Sequence, residues 1–303
     1  MTLMYRYTMY RDRIELNASI NDIIKKELLK DAVKDHPKRT VLLAAREIWC
    51  GQGVVFELSD CDLVLVADKL DTSKGTIKIN VTDGAASGQP GLPGRKVTVV
   101  CKEVVGIRFQ LKGRTGAPGA SGLPSAPGKH GMPIWTEKNG DPGDKGGEGQ
   151  PGYKGGVGGT LSMIFMKCNA NLINISLPGG DGGQGGAGGV GGPGGIGVIA
   201  TKPNGTNPVR SSDGPPGPKG EDGKVGETGM TGTNNNTLVA SEDVFWQNVR
   251  SLFTPDVEWG AYRLKIGEYF FRAYNASNPG YLNMALNEFN AVLFLNPGST
   301  QAT

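Results

Sequence analysis

Residues 179–197 read GGDGGQGGAGGVGGPGGIG, with glycine at two of every three positions. Three residues per turn is the period of a polyproline-II-type helix, which forms no hydrogen bonds within itself. Its backbone N–H and C=O groups therefore need partners elsewhere. Two of its three edges carry no side chain, so other backbones can approach on two sides. Gly182, Gly183, Gly185, Gly186, Gly188 and Gly189 are the expected packing positions, and Ala187 is expected to face outward.

Partners for this stretch lie in the same chain. Glycine recurs every third residue over residues 113–131, with Ser125 in the one missing slot, and without a break over 140–158 and 214–232. We call these tracts I (113–131), II (140–158), III (179–197) and IV (214–232). Each spans 19 residues, or roughly 56 Å at the polyproline-II rise. Equal lengths predict helices lying side by side, with the single-Gly tracts turning one bare edge inward. A shorter run, 88–94, makes a smaller excursion. A disordered Gly-rich linker is the plainer reading of such composition, but equal length and strict phase argue against it. A collagen triple helix would want more proline outside tract IV and no Gly-Gly-X pattern.

The chain has 303 residues, 49 of them glycine, a length that suits two domains. Its net charge of +3 is small and dispersed and does not point to nucleic acid. No apolar run reaches the ~20 residues of a membrane helix. The start, MTLMYRYTMYRDR, lacks a signal-peptide core. Cys50, Cys61, Cys101 and Cys168 show no CxxC spacing, and His36 and His130 stand alone. Buried thiols, no metal and no cofactor are the expectation.

Residues 1–16 alternate as a strand, and Ile20, Ile24 and Leu28 mark a short amphipathic helix that would close an end of the fold. An internal repeat follows. Segments VLLAAREI from Val41, LVLVADKL from Leu63, VTVVCKEV from Val97 and LSMIFMKC from Leu161 align without gaps. A second short strand follows each of them. This predicts a mainly β fold: a short β-solenoid, each repeat stacking on its neighbours, with a protruding bundle of polyglycine-II/polyproline-II helices. The expected organisation is 1–36 as strand and capping helix, 37–234 as solenoid with inserted bundle, and 235–303 as a helical segment.

In that last segment, Ile266, Gly267 and Phe270, then Ala285, Phe289, Val292 and Pro297, resemble one tetratricopeptide repeat. The resemblance implies a docking or capping unit, since such repeats work in arrays. The Gly-rich tracts resemble the polyglycine-II bundles of phage long-tail-fibre adhesins and the Gly-rich antifreeze protein of snow fleas, on periodicity alone.

Enzyme chemistry is weakly represented. Asp60, Asp62, Asp68 and Asp71 crowd one region near Lys69 and Lys74, and read as strand ends and turns. Six N-x-S/T sequons occur, at Asn17, Asn80, Asn174, Asn204, Asn235 and Asn275. Asn204 and Asn235 sit in loop-like sequence and could carry glycan in an exported protein. Ile134 and Trp135 fall in the turn between tracts I and II, where an apolar pair is a candidate tip contact. The reading is a non-enzymatic structural and recognition protein, extracellular or on the cell surface. Its partners would be copies of itself, other surface or fibre proteins, and glycans. A carbohydrate-active enzyme and an ice-binding protein are the alternatives.

Overall fold

The computed structural model describes residues 7–30, 39–82, 88–131, 139–169, 173–200, 209–251 and most of 264–295. Its centre is a nine-stranded, mostly parallel sheet. One ladder runs β1 (Tyr7–Leu16), β2 (Arg39–Cys50), β4 (Cys61–Asp71), β6 (Lys96–Leu111), β7 (Thr160–Cys168) and β11 (Thr233–Leu238). A second, also parallel, sets β3 (Val55–Ser59) beside β5 (Thr76–Asn80), then β6, then β8 (Ile173–Ser176). A separate two-stranded hairpin pairs β9 (Ile199–Ala200) with β10 (Val209–Arg210).

The ladder register sets Val41, Leu63, Val97 and Leu161 side by side, matching the ungapped alignment of the repeat. Alternate residues face one core: Leu43, Leu65, Val99 and Met163 are buried, and so are Ala45, Ala67, Cys101 and Phe165. In a parallel, in-register sheet, identical charges would stack on one another, which is unfavourable. Here Arg13, Glu47, Lys69, Glu103 and Lys167 occupy one row across five strands, so the sign alternates at every step. Arg13 and Glu47 meet at 2.8 Å, Lys167 and Glu103 at 3.7 Å. A ladder that skipped one strand would place like charges together.

The expected β-solenoid with a tetratricopeptide-like helical segment is not the architecture found. A solenoid would build each rung from separate strands. Instead β6 runs unbroken for 16 residues through both strand positions of its repeat and joins the two ladders into one sheet. That sheet closes nearly into a barrel, and the helices among the described residues amount to only 14% of the chain. Helices α1 (Ala18–Lys30), α2 (Glu242–Ser251) and α3 (Gly280–Leu295) are described end to end, with short helical pieces between residues 264 and 272.

The repeat-like signature has a local cause. The sheet is buried on both faces, as parallel sheets usually are. Leu42, Ala44, Val64, Val66 and Val100 point away from the first core and form a second cluster with Phe245, Phe270 and Ala285. A Cβ on Gly267 would strike the Phe289 ring. Small residues opposite aromatics therefore serve the packing of helices on this sheet rather than an array of helical repeats. Pro297 lies outside the described residues.

At the other end, Asn17 Oδ1 accepts from Ile20 N–H (3.1 Å) and caps α1. Ile20 and Ile24 then bury against the first core. All four cysteines are free thiols. Burial, with Asp71 and Glu15 nearby, pushes the Cys50 thiol up to about 12, and burial raises Cys101 as well. The thiolate is the reactive form. In native protein at pH 8, Cys50 and Cys101 are therefore expected to resist a disulfide-exchange reagent, and half-buried Cys168 to react first. All four should react in guanidinium. Fast modification of Cys50 and Cys101 in the native state would contradict this packing.

Candidate functional site

The Gly-rich tracts form an arm whose hydrogen bonds all run between neighbours. Tract I donates to tract III: Gly116 to Asp181 (2.9 Å), Gly122 to Ala187 (2.8 Å), Gly128 to Pro193 (2.8 Å). Tract II donates from two rows. Gly143, Gly149 and Gly155 give to Pro215, Glu221 and Glu227 of tract IV, while Gly147, Gln150 and Tyr153 give to Leu123, Ala120 and Ala117 of tract I. Tract III donates to II (Gly186 to Gln150, 2.8 Å), and IV donates to III (Gly223 to Gly186, 2.8 Å). Among the four tracts, residue numbers rise together in I and III and in II and IV, and oppose each other in the other bonded pairs.

The bonding fixes the cross-section. Tract II touches I, III, IV and the short run at Gly91 and Gly94. Tract III touches I, II and IV. Two layers result, I with III and II with IV. The lattice continues into the sheet: Gly159 donates to Leu111 (2.9 Å), Gly232 to Leu177 (2.7 Å), and Thr233 to Gly159 (3.1 Å).

Glycine is required here by close approach. A Cβ on Gly182, Gly185 or Gly188 would stand within 3.0 Å of the carbonyls of Gly226, Gly223 or Gly220, and one on Gly183, Gly186 or Gly189 equally close to those of Ala117, Ala120 or Leu123. Real Cβ atoms do not approach backbone that closely. The third row of tract III, from Asp181 to Ile196, is exposed. On the layer of II and IV, Lys154 pairs with Glu227 (3.1 Å) and Lys145 with Glu148 (3.5 Å), all exposed. Asp222 binds Lys219 and also accepts from Gly188 N–H (2.7 Å), and the nearby ammonium holds its carboxyl below the usual range.

The other sequence candidates fall in different places. Ile134, Trp135 and Asn204 lie outside the described residues. Asn235 is exposed but sits on strand β11, not in a loop. Its strand TNNNTL carries no apolar alternation, so neither periodicity nor composition marks it. The four aspartates do not converge. Asp60 is buried and binds Thr82 and Arg95, Asp62 accepts from Lys96 N–H (2.8 Å), Asp68 pairs with Lys102 (3.6 Å), and Asp71 closes a turn onto Ser73.

A cleft of about 220 Å³ lies beside Arg13, Glu47, Trp49, Lys69, Asp71 and Lys74. It is smaller than the ~300–1,000 Å³ of common ligand sites. The Arg13 guanidinium lies 5.0 Å from the Trp49 ring centroid. Glu47 pairs with Arg13 at 2.8 Å, and Asp71 accepts from the Ser73 hydroxyl at 2.6 Å. Among the described residues there is no cluster of three or more metal-ligating side chains, and no helix long and apolar enough to cross a membrane. No protein family, curated protein or solved structure matches this chain.

Proposed function

We propose that this is a non-catalytic structural and recognition protein, a component of a cell surface, filament or fibre. Its sheet anchors a stiff arm that presents a tip or assembles with other copies. The observation that carries this reading is the lattice itself. Successive tracts are cross-bonded along their length at 2.7–3.4 Å, and bare glycine edges let the backbones meet. The product of such a rod is reach and stiffness.

Gly131 and Asn139 stand at the far end of this rod, and the sequence between them contains Trp135. Trp is over-represented among binding anchors. Trp135→Ala is expected to abolish binding of fluorescently labelled protein to the surface of the cells that make it, with an unchanged melting temperature. A lowered melting temperature with attachment retained would make Trp135 a structural plug. Cleavage of a polysaccharide by the purified wild type would replace this reading with the enzymatic one.

A further inference from the structure

The two layers of the arm turn different chemistry to solvent. The layer of II and IV is charged and bridged by ion pairs, Lys154 to Glu227 among them. In the layer of I and III, three-fold geometry leaves one row of each tract pointing away from the other layer. These rows are every third residue from Thr115 to His130 and from Asp181 to Ile196, all exposed. The register of Gly122 on Ala187 and Ser125 on Val190 brings the rows level. Neither contains Lys, Arg, Glu, Phe, Tyr or Trp. Four prolines, Val190 (71% exposed) and Ile196 (56%) give the face an apolar character. Its one carboxylate, Asp181, is at the base and paired with Lys112 (2.7 Å). His130 is at the opposite end, its Nδ1 accepting from Ile196 N–H.

We infer that this face is covered by the same face of a second copy, the two arms lying antiparallel about a two-fold axis near Ala187 and Val190. The inference rests on the proposed function, in which copies assemble. Both faces share one axial period of three residues, about 9.3 Å, so ridges of one meet grooves of the other without adjustment. An antiparallel pair sets Asp181 toward the partner's His130 end, whereas a parallel pair would set two Asp181 side chains together. The face is roughly 50 Å long and about 10 Å wide at ordinary hydrogen-bonded chain spacing. Two copies would together bury about 1,000 Å², the lower bound for a specific interface. A two-fold contact uses the same patch twice and closes, giving a dimer rather than an open fibre.

Sedimentation equilibrium over a concentration series tests this. The wild type should reach twice the chain mass of 31.8 kDa. Ala187→Lys/Val190→Lys places four ammonium groups in the closed interface, and should weaken dimerisation at least ~tenfold. Both positions point to solvent in one copy, so its melting temperature should match the wild type. Met230→Lys, exposed on the charged layer, should keep the dimer. A wild type monomeric throughout, or a double variant as dimeric as the wild type, overturns the inference. So does a monomeric wild type whose thermal hysteresis the double variant abolishes, since the face would then meet ice. Surface attachment through Trp135 is read separately, so either result leaves that test of function standing.

Discussion

Replacing Gly185 or Gly186 with alanine is expected to melt the arm at a temperature well below that of the wild type. A methyl on Gly185 would enter the Gly223 carbonyl, and one on Gly186 the Ala120 carbonyl. Both obstacles are backbone, held in turn by their own ladders, so neither can step aside alone. Tract III must move away from a neighbour, and each ladder bond lost nearby costs about 1 kcal/mol. With the strain of overpacking added, the total should reach about 3 kcal/mol or more. Ala187→Ser, on the exposed row between them, should change stability by less than ~0.5 kcal/mol. Calorimetry of the three variants decides the matter. Equal melting temperatures would mean that the tracts do not pack through their glycine edges.

The second large effect is expected at Asp60. Its side chain is 7% exposed, its backbone has φ of 56°, and its carboxylate accepts from Thr82 N–H (2.7 Å) and the Thr82 hydroxyl while facing Arg95 at 3.5 Å. It thereby fastens the corner between β3 and β4 to the chain leaving β5. Asp60→Ala removes this partner from a mostly buried guanidinium and loses the short polar side chain that eases the left-handed backbone. The first costs about 3 kcal/mol or less, since Arg95 keeps a further interaction, and the second adds less than about 1 kcal/mol. Asp60→Asn tolerates the backbone and can still accept from Thr82, so it should lose distinctly less. Denaturant midpoints read the ranking. An alanine variant as stable as the asparagine one would show that the corner does not depend on the carboxylate.

Much of this was legible because period is a strong signal. The three-residue spacing marks the tracts, and the shared register of Val41, Leu63, Val97 and Leu161 follows from alignment of the segments alone. The closure of the sheet was not legible. VTVVCKEV and IRFQL read as two strands because the charged pair Lys102–Glu103 interrupts the apolar run, yet β6 carries straight through both. Those charges fit because Glu103 is needed between Lys69 and Lys167, and Lys102 pairs with Glu242 of α2. The helices misled for a related reason. A small residue facing an aromatic is demanded by any close helix packing, and Gly267 opposite Phe289 satisfies it without a repeat array. Strand β11 was invisible because an exposed edge needs no apolar face.

The ladder bonds of the arm lie across its long axis. Pulled at the tip against an anchored sheet, neighbouring tracts are dragged past each other, and every rung between them is loaded at once. A hairpin opened from its end gives way one bond at a time at low force. Here rupture demands simultaneous failure of whole rows, such as the six bonds from tract I to tract III between Gly116 and Gly131. The arm is thus built as a tether that yields to drag only all together, and a polymer of glycine, the softest of residues when free, becomes a strut.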